Sequence, residues 1–293
     1  MARFGEVVTA MVTPFDDDLA LDLDAAVALA RWLTDHGSDG LVLAGSTGEG
    51  TSLSDAEKLD LFRAVAEAVT VPVLAGTGTA DTRHSVELTR AAVACGVAGV
   101  LVVAPYYSRP SQAGLDLHFR AVAEAAGERP VLLYDIPVRT GRRVARETLL
   151  ALAREVPNVV GVKDAAGDPH GTARLVDAAP EGFEVYSGED GLTLPLLAVG
   201  AVGVIGVAAN WAPGFQSEVI AAFAKGDVTL ARELNARLLP SFAFESSEAA
   251  PNPIPAKAAL RHLGLRVGQC RPPLGPAPPG LDDQAAEVLS ALG

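Results

Sequence analysis

Short apolar, β-branched runs recur along the chain roughly every 20–35 residues, each followed by a longer, alanine-rich amphipathic stretch. The runs begin near Val7 (VVTAMVT), Leu41 (LVLAG), Val71 (VPVLAG), Val97 (VAGVLVVA), Val131 (VLLYDIP), Val159 (VVGVKD), Phe183 (FEVYSG) and Gly203 (GVIGVAAN). Strands that are apolar on both faces and alternate with helices mark a parallel sheet covered on each side. Eight such units predict an α/β fold, a closed (β/α)8 TIM barrel of about 250 residues or less.

The stretches between the runs predict helices. Asp24–Thr34 places Val27, Ala30, Trp32 and Leu33 at near-helical spacing, with Asp22 and Asp24 at its start. Ser54–Val69 opens on SDAE, a capping box in which Ser54 caps and Glu57 reaches back. Asp81–Cys95 stops before Gly96, a plausible C-cap, and Ser111–Ala126 and Glu147–Arg154 continue the pattern. After the eighth run the rhythm changes to helices alone: Phe215–Lys225, Val228–Ser247, Pro255–Leu263 and Leu281–Leu292, the last two parted by the Pro/Gly-rich Cys270–Gly280. The expected division is a barrel over residues 1–224 carrying the active site and a C-terminal helical extension over 225–293.

Composition changes this picture little. With 49% hydrophobic and 20% charged residues the chain has an ordinary globular make-up. A net charge of −13 argues against nucleic acid or an anionic membrane as partner. The uncharged stretch Gly191–Gln216 invites a membrane reading, but Pro195, Asn210, Pro213 and the glycines at 200, 203 and 206 break it. A buried helix, a glycine turn and a buried strand are expected there instead. The opening MARFGEVVTAMVTPF lacks the marks of a signal peptide, and Cys95 and Cys270 read as buried thiols, so a cytoplasmic location is expected.

Candidate chemistry centres on Lys163, at the end of the sixth run in VVGVKDAAG. Only four of the 23 basic residues are lysines (Lys58, Lys163, Lys225 and Lys257), so this chain rarely solvates its surface with lysine. An amine in an apolar cleft loses its proton more easily and can attack a carbonyl. Taken alone, the segment reads better as a strand-end lysine that snorkels to water. Barrel active sites lie at the C-terminal ends of the strands, however, and other polar residues are expected at the same face. Gly45-Ser46-Thr47-Gly48-Glu49 follows the second run, with N–H groups suited to an anion. Pro105-Tyr106-Tyr107-Ser108-Arg109 follows the fourth, Tyr134 ends the fifth with Arg139 on an expected loop that overhangs it, and Tyr186 ends the seventh. Metal spacing among the five histidines, a dinucleotide fingerprint and a GxSxG elbow are all missing.

Taken in order, TAMVTPF, GSTGEG, AGTGT, PYYSRPSQAGL, YDIPVRTG, GVKDAAGD, YSGED, GVIGVAAN and PNPIPAKAAL give the chain a resemblance. It resembles the dihydrodipicolinate synthase family, within the pyruvate-dependent lyase superfamily that includes N-acetylneuraminate lyase. The resemblance implies that Lys163 forms a Schiff base with pyruvate and that Tyr134, Ser46 and Tyr107 relay protons. It implies that Tyr107 is lent to a neighbouring subunit, so that the chain is at least a dimer and usually a tetramer, a dimer of dimers. Backbone N–H groups of Ser46 and Thr47 would hold the pyruvate carboxylate, Arg139 would grip that of aspartate 4-semialdehyde, and Gly188 and Ile205 would line the pocket. The implied product is 4-hydroxy-tetrahydrodipicolinate, on the way to lysine and diaminopimelate, with no metal and no cofactor beyond the lysine that holds pyruvate. Ser46 stands where the synthases more usually have threonine. This leaves a pyruvate-forming aldolase acting on a sugar acid or 4-hydroxy-2-oxoglutarate as an alternative, and a non-catalytic barrel that binds a small acid as the outside reading. Lysine-inhibited members carry other residues where this chain has Asp55, Lys58, Ala80 and His84, although Tyr106 is kept, so weak or absent feedback by lysine is expected.

Overall fold

The computed structural model describes residues 2–292. Eight parallel strands close in sequence order into a barrel: β1 (Val7–Ala10), β2 (Gly40–Leu43), β3 (Val73–Gly76), β4 (Gly99–Val103), β5 (Val131–Asp135), β6 (Val159–Asp164), β7 (Glu184–Ser187) and β8 (Gly203–Gly206). Each expected run supplies one strand. Between them lie α1 (Leu23–Asp35), α2 (Asp55–Ala68), α3 (Thr82–Val93), α4 (Gln112–Ala126), the one-turn α5 (Pro137–Thr140), α6 (Arg146–Glu155), α7 (Pro169–Ala178) and α8 (Thr193–Ala198). Four further helices follow β8: α9 (Pro213–Ala224), α10 (Val228–Phe244), α11 (Ile254–His262) and α12 (Leu281–Leu292).

Side chains of a strand alternate between its faces, and a closed barrel turns that alternation into two separate cores. Val8, Val42, Leu74, Leu101, Leu132, Tyr134, Tyr186 and Ile205 fill the barrel interior. Leu41, Leu43, Val73, Val100, Val102, Leu133, Val162 and Val185 face the helices and join their apolar stripes. Residues of the extension, among them Leu238, Ile254, Ala258 and Leu292, belong to that same outer core, so the extension packs as part of the barrel's shell.

The helix starts follow their caps. The Ser54 hydroxyl accepts the Glu57 N–H, and the Glu57 carboxylate accepts the Ser54 N–H at 2.8 Å. Asp22, Asp81, Ser111, Asp168 and Asp227 cap five others by their side chains. The segment from 191 to 206 forms α8, a turn and β8, and among the described residues no helix is long and apolar enough to cross a membrane.

Three expectations need correction. In α1 the buried face is Ala25, Ala26, Leu29, Ala30 and Leu33, whereas Val27 and Trp32 are only half-buried; Trp32 stacks on His36 with ring centres 4.1 Å apart. The stripe that meets the barrel, Ala26, Leu29, Ala30 and Leu33, follows i, i+3, i+4, i+7, and Trp32 packs against it from the edge. Arg139 sits on α5 rather than in an open loop, because Pro137 supplies a first-turn φ and Gly141, at φ 70°, ends the turn. The third concerns Tyr186. Its hydroxyl accepts the Phe4 N–H at 3.2 Å and donates to Glu184 at 3.2 Å, so it points to the N-terminal end of the barrel, away from the reactive face.

Candidate active site

Strand register brings the two central residues together. Tyr134 on β5 pairs directly with Lys163 on β6, and both are two-residue continuations of inward-facing positions. The Lys163 amine lies 4.5 Å from the centre of the Tyr134 ring, and the lysine is 4% exposed. Burial is the main force on this amine and lowers its pKa from 10.5 to about 8. The Asp190 and Glu245 carboxyls oppose that shift, while the Arg139 cation adds to it. Burial likewise raises the Tyr134 phenol to about 12, with the Arg139 cation and a hydrogen bond from the Ser46 hydroxyl pulling the other way. Tyr134 therefore stands neutral, able both to give and to take a proton.

Room for the lysine stem comes from Gly188. A Cβ there would come within 2.9 Å of Lys163 Cγ and 2.9 Å of Ala165 Cβ, so only glycine fits beside this side chain. Beyond β7, the Asp190 carboxylate accepts the Val207 N–H at 2.7 Å and the Gln216 amide. Burial pushes the Asp190 carboxyl and that of Glu245 beside it upward.

The turn after β2 bends sharply. Ala44 (φ 52°) and Glu49 (φ 51°) both take left-handed backbone, a costly shape for residues with side chains. Gly45–Gly50 closes by N–H to carbonyl bonds from Gly50 to Gly45 (3.0 Å) and Glu49 to Ser46 (3.2 Å). The Ser46 and Thr47 N–H groups find no acceptor among the described residues. Unpaired N–H groups on such a turn can receive a carboxylate. Thr47 is itself buried, and its hydroxyl accepts the Asn252 amide at 3.0 Å.

A cavity of about 410 Å³ opens at the C-terminal end of the barrel, lined among others by Gly45, Ser46, Tyr106, Tyr107, Tyr134, Arg139 and Asn252. Lys163 is not among its lining residues; it stands behind Tyr134. Gly188 packs on the Lys163 stem and Ile205 is fully buried in the barrel interior, so neither reaches the cavity wall in this arrangement. Tyr107 is on the rim. It sits at φ 69° with the Ser108 N–H bonded to the Tyr106 carbonyl at 2.8 Å, a strained three-residue turn that throws its side chain outward. At 96% exposure it packs on neither Tyr134 nor Lys163 within one chain. The expected regulatory positions also sit together: Asp55 bonds His84 at 2.8 Å and lies 3.5 Å from Lys58, which lines the same cavity as Tyr106.

Sequence reasoning passed over Asn252, Asp190, Glu49 and Lys257 as individual residues. Asn252, Glu49 and Lys257 lie inside the stretches PNPIPAKAAL and GSTGEG, and Lys257 carries the same signal of lysine scarcity that singled out Lys163.

Comparison with known proteins adds an independent line. Residues 3–292 match the model of the dihydrodipicolinate synthetase family. The 4-hydroxy-tetrahydrodipicolinate synthase of Parasynechococcus marenigrum is 49% identical over 291 residues, covering 99% of this chain and 95% of that protein. Among solved structures, dihydrodipicolinate synthase from Bacillus anthracis superposes with a TM-score of 0.96 at 39% identity, covering 100% of both chains. The enzyme from Cyanidioschyzon merolae, solved with lysine bound, also gives 0.96 at 39%, covering 100% of this chain and 99% of that one.

Proposed function

The chain belongs to the dihydrodipicolinate synthetase family, and on that premise we propose how its own residues carry the reaction. It is a carbon–carbon bond-forming lyase that condenses pyruvate with aspartate 4-semialdehyde to 4-hydroxy-tetrahydrodipicolinate, a step towards lysine and diaminopimelate. The observation that carries the residue assignment is the buried Lys163 amine, lowered to about 8 and set against the Tyr134 ring.

Pyruvate enters with its carboxylate on the Ser46 and Thr47 N–H groups. The neutral Lys163 amine attacks its ketone, and loss of water leaves an iminium on Lys163. That iminium draws electrons from the adjacent methyl, which gives up a proton and becomes an enamine. The enamine carbon attacks the aldehyde of the second substrate, whose carboxylate Arg139 holds with its planar fork. The substrate's own amine then displaces Lys163 and closes the ring. Tyr134, with Ser46 beside it, moves the protons within hydrogen-bond reach. Tyr107 of a neighbouring copy completes the relay, so the working enzyme is a homo-oligomer, a dimer of dimers. Lys163 supplies the electron sink, and the reaction calls for no metal or organic cofactor. Gly188 and Ile205 shape the base of the site from behind.

Residues 1–224 act as the reacting barrel and 225–293 as its helical extension, in a cytoplasmic enzyme. With His84 and Lys58 both tied to Asp55, a cationic amino acid meets a cation and no free carboxylate there, so feedback by lysine is weak.

The test is a coupled assay with wild type and Arg139→Ala. The variant is expected to lose turnover by about 100-fold or more through the semialdehyde while still condensing with pyruvate. Pyruvate release from a keto acid, with no heterocycle formed from the semialdehyde, would instead show the aldolase.

A further inference from the structure

The turn that receives pyruvate is not held by the barrel alone. Beyond Thr47 the chain passes through Gly48 into Glu49, whose left-handed backbone needs something to keep it there. The Glu49 side chain is buried and meets the Lys257 amine at 2.7 Å, both side chains being at most 1% exposed. Its second oxygen accepts the Arg271 N–H at 2.9 Å. Lys257 donates to the Gln269 carbonyl at 2.9 Å and rests 4.2 Å from the Phe15 ring centre. Asn252, from the same segment, reaches Thr47 itself. Every one of these partners except Phe15 comes from the C-terminal extension.

A fully buried ion pair contributes little net stability compared with an apolar pair of the same volume, because both charges must leave water. What it does well is fix one arrangement, since any shift leaves a charge unpaired. Burial pulls the Lys257 amine towards neutrality, and Glu49 is the main group that holds its proton. The pair therefore acts on shape: it holds residue 49 in register with α11, and with it the two N–H groups at 46 and 47.

We propose that Glu49 and Lys257 are positioning residues, an ion pair through which the C-terminal extension sets the turn that holds the pyruvate carboxylate. This rests on the functional reading given above. Pyruvate condenses before the second substrate enters, so kcat/KM for pyruvate reports on the turn and kcat/KM for the semialdehyde reports on the later half of the cycle.

The experiment measures both constants for wild type, Glu49→Gln, Lys257→Met and the double variant Glu49→Gln/Lys257→Met. In each single variant kcat/KM for pyruvate is expected to fall by about 10-fold or more, and that for the semialdehyde by less than about 3-fold. The double variant, which leaves no unpaired buried charge, is expected to lose less than either single one. Any one of the three that folds carries the test through the ratio of its two constants. Equal losses in both constants, or no loss in either, would overturn the proposal and leave the functional reading intact. If none of the three folds, the pair is a folding element rather than a positioning one, which also overturns it. A wild type that turns over no pyruvate overturns the functional reading, and the proposal with it.

Discussion

A lysine that would be ordinary at a strand end is buried here because of one alternation. Val162 faces the helices, so Lys163 must face the barrel interior, where burial holds its amine near 8. The sign is that of a depressed base: the folded protein sheds this proton at lower pH than free lysine, and the nucleophile gains as pH rises. About a tenth of the amine is neutral at pH 7, so kcat/KM for pyruvate is expected to climb roughly tenfold towards a plateau, with an apparent pKa of about 8. A rate that is flat from pH 6 to 9, measured under pyruvate limitation, contradicts this. Gly188→Ala tests the packing directly. Its new methyl would strike Lys163 Cγ, so adduct formation should fall by about 10-fold or more with the fold kept, by circular dichroism. The buried place of Lys163 at the end of β6 was legible in the sequence because lysine is scarce and this one closes an apolar run. Lys257 shares that scarcity, but its partner Glu49 lies 208 positions away, and no linear pattern joins them. Tyr186 shows the opposite failure. Its strand ends beside those of the proposed site residues, yet its hydroxyl is drawn to Phe4 and Glu184 at the other end of the barrel.

At the level of elements, all eight strands were legible because a short run that is apolar on both faces fits a covered parallel strand and little else. The capping box at Ser54 was legible for a similar reason, its residue types and spacing being those of a helix start. Ser54→Ala should cost about 1 kcal/mol, seen as a lower Tm with turnover unchanged. Glu57 of the same box also binds Arg271 at 2.6 Å, and that guanidinium is the main reason its carboxyl drops from 4.5 to about 2. A depressed acid contributes stability above its unfolded pKa and loses it as pH falls through the folded one. Glu57→Gln should therefore flatten the Tm profile between pH 4.5 and about 2, and an unchanged profile would contradict the ion pair with Arg271. The one-turn helix under Arg139 was not legible, since the four residues Pro137–Thr140 carry no periodicity.

At the scale of the whole molecule, the proposed relay needs a second copy of the chain. Tyr107 is 96% exposed and Val138 86%, large apolar surfaces beside the cavity rim rather than within a core. Sedimentation at micromolar concentration should show a dimer or larger, and Tyr107→Ala should lower kcat by about 10-fold or more while leaving pyruvate adduct formation intact. A fully active monomer would contradict the lent tyrosine. Assembly was out of reach of periodicity and composition, because an exposed tyrosine in the sequence looks like a buried one.

The central claim is that Lys163 is the nucleophile that holds pyruvate. Borohydride reduction in the presence of pyruvate, followed by peptide mass spectrometry, tests it most directly. The account predicts a single reduced pyruvate adduct on Lys163, absent without pyruvate and absent in Lys163→Ala; an unmodified Lys163, or an adduct on Lys58 or Lys257 instead, would contradict it.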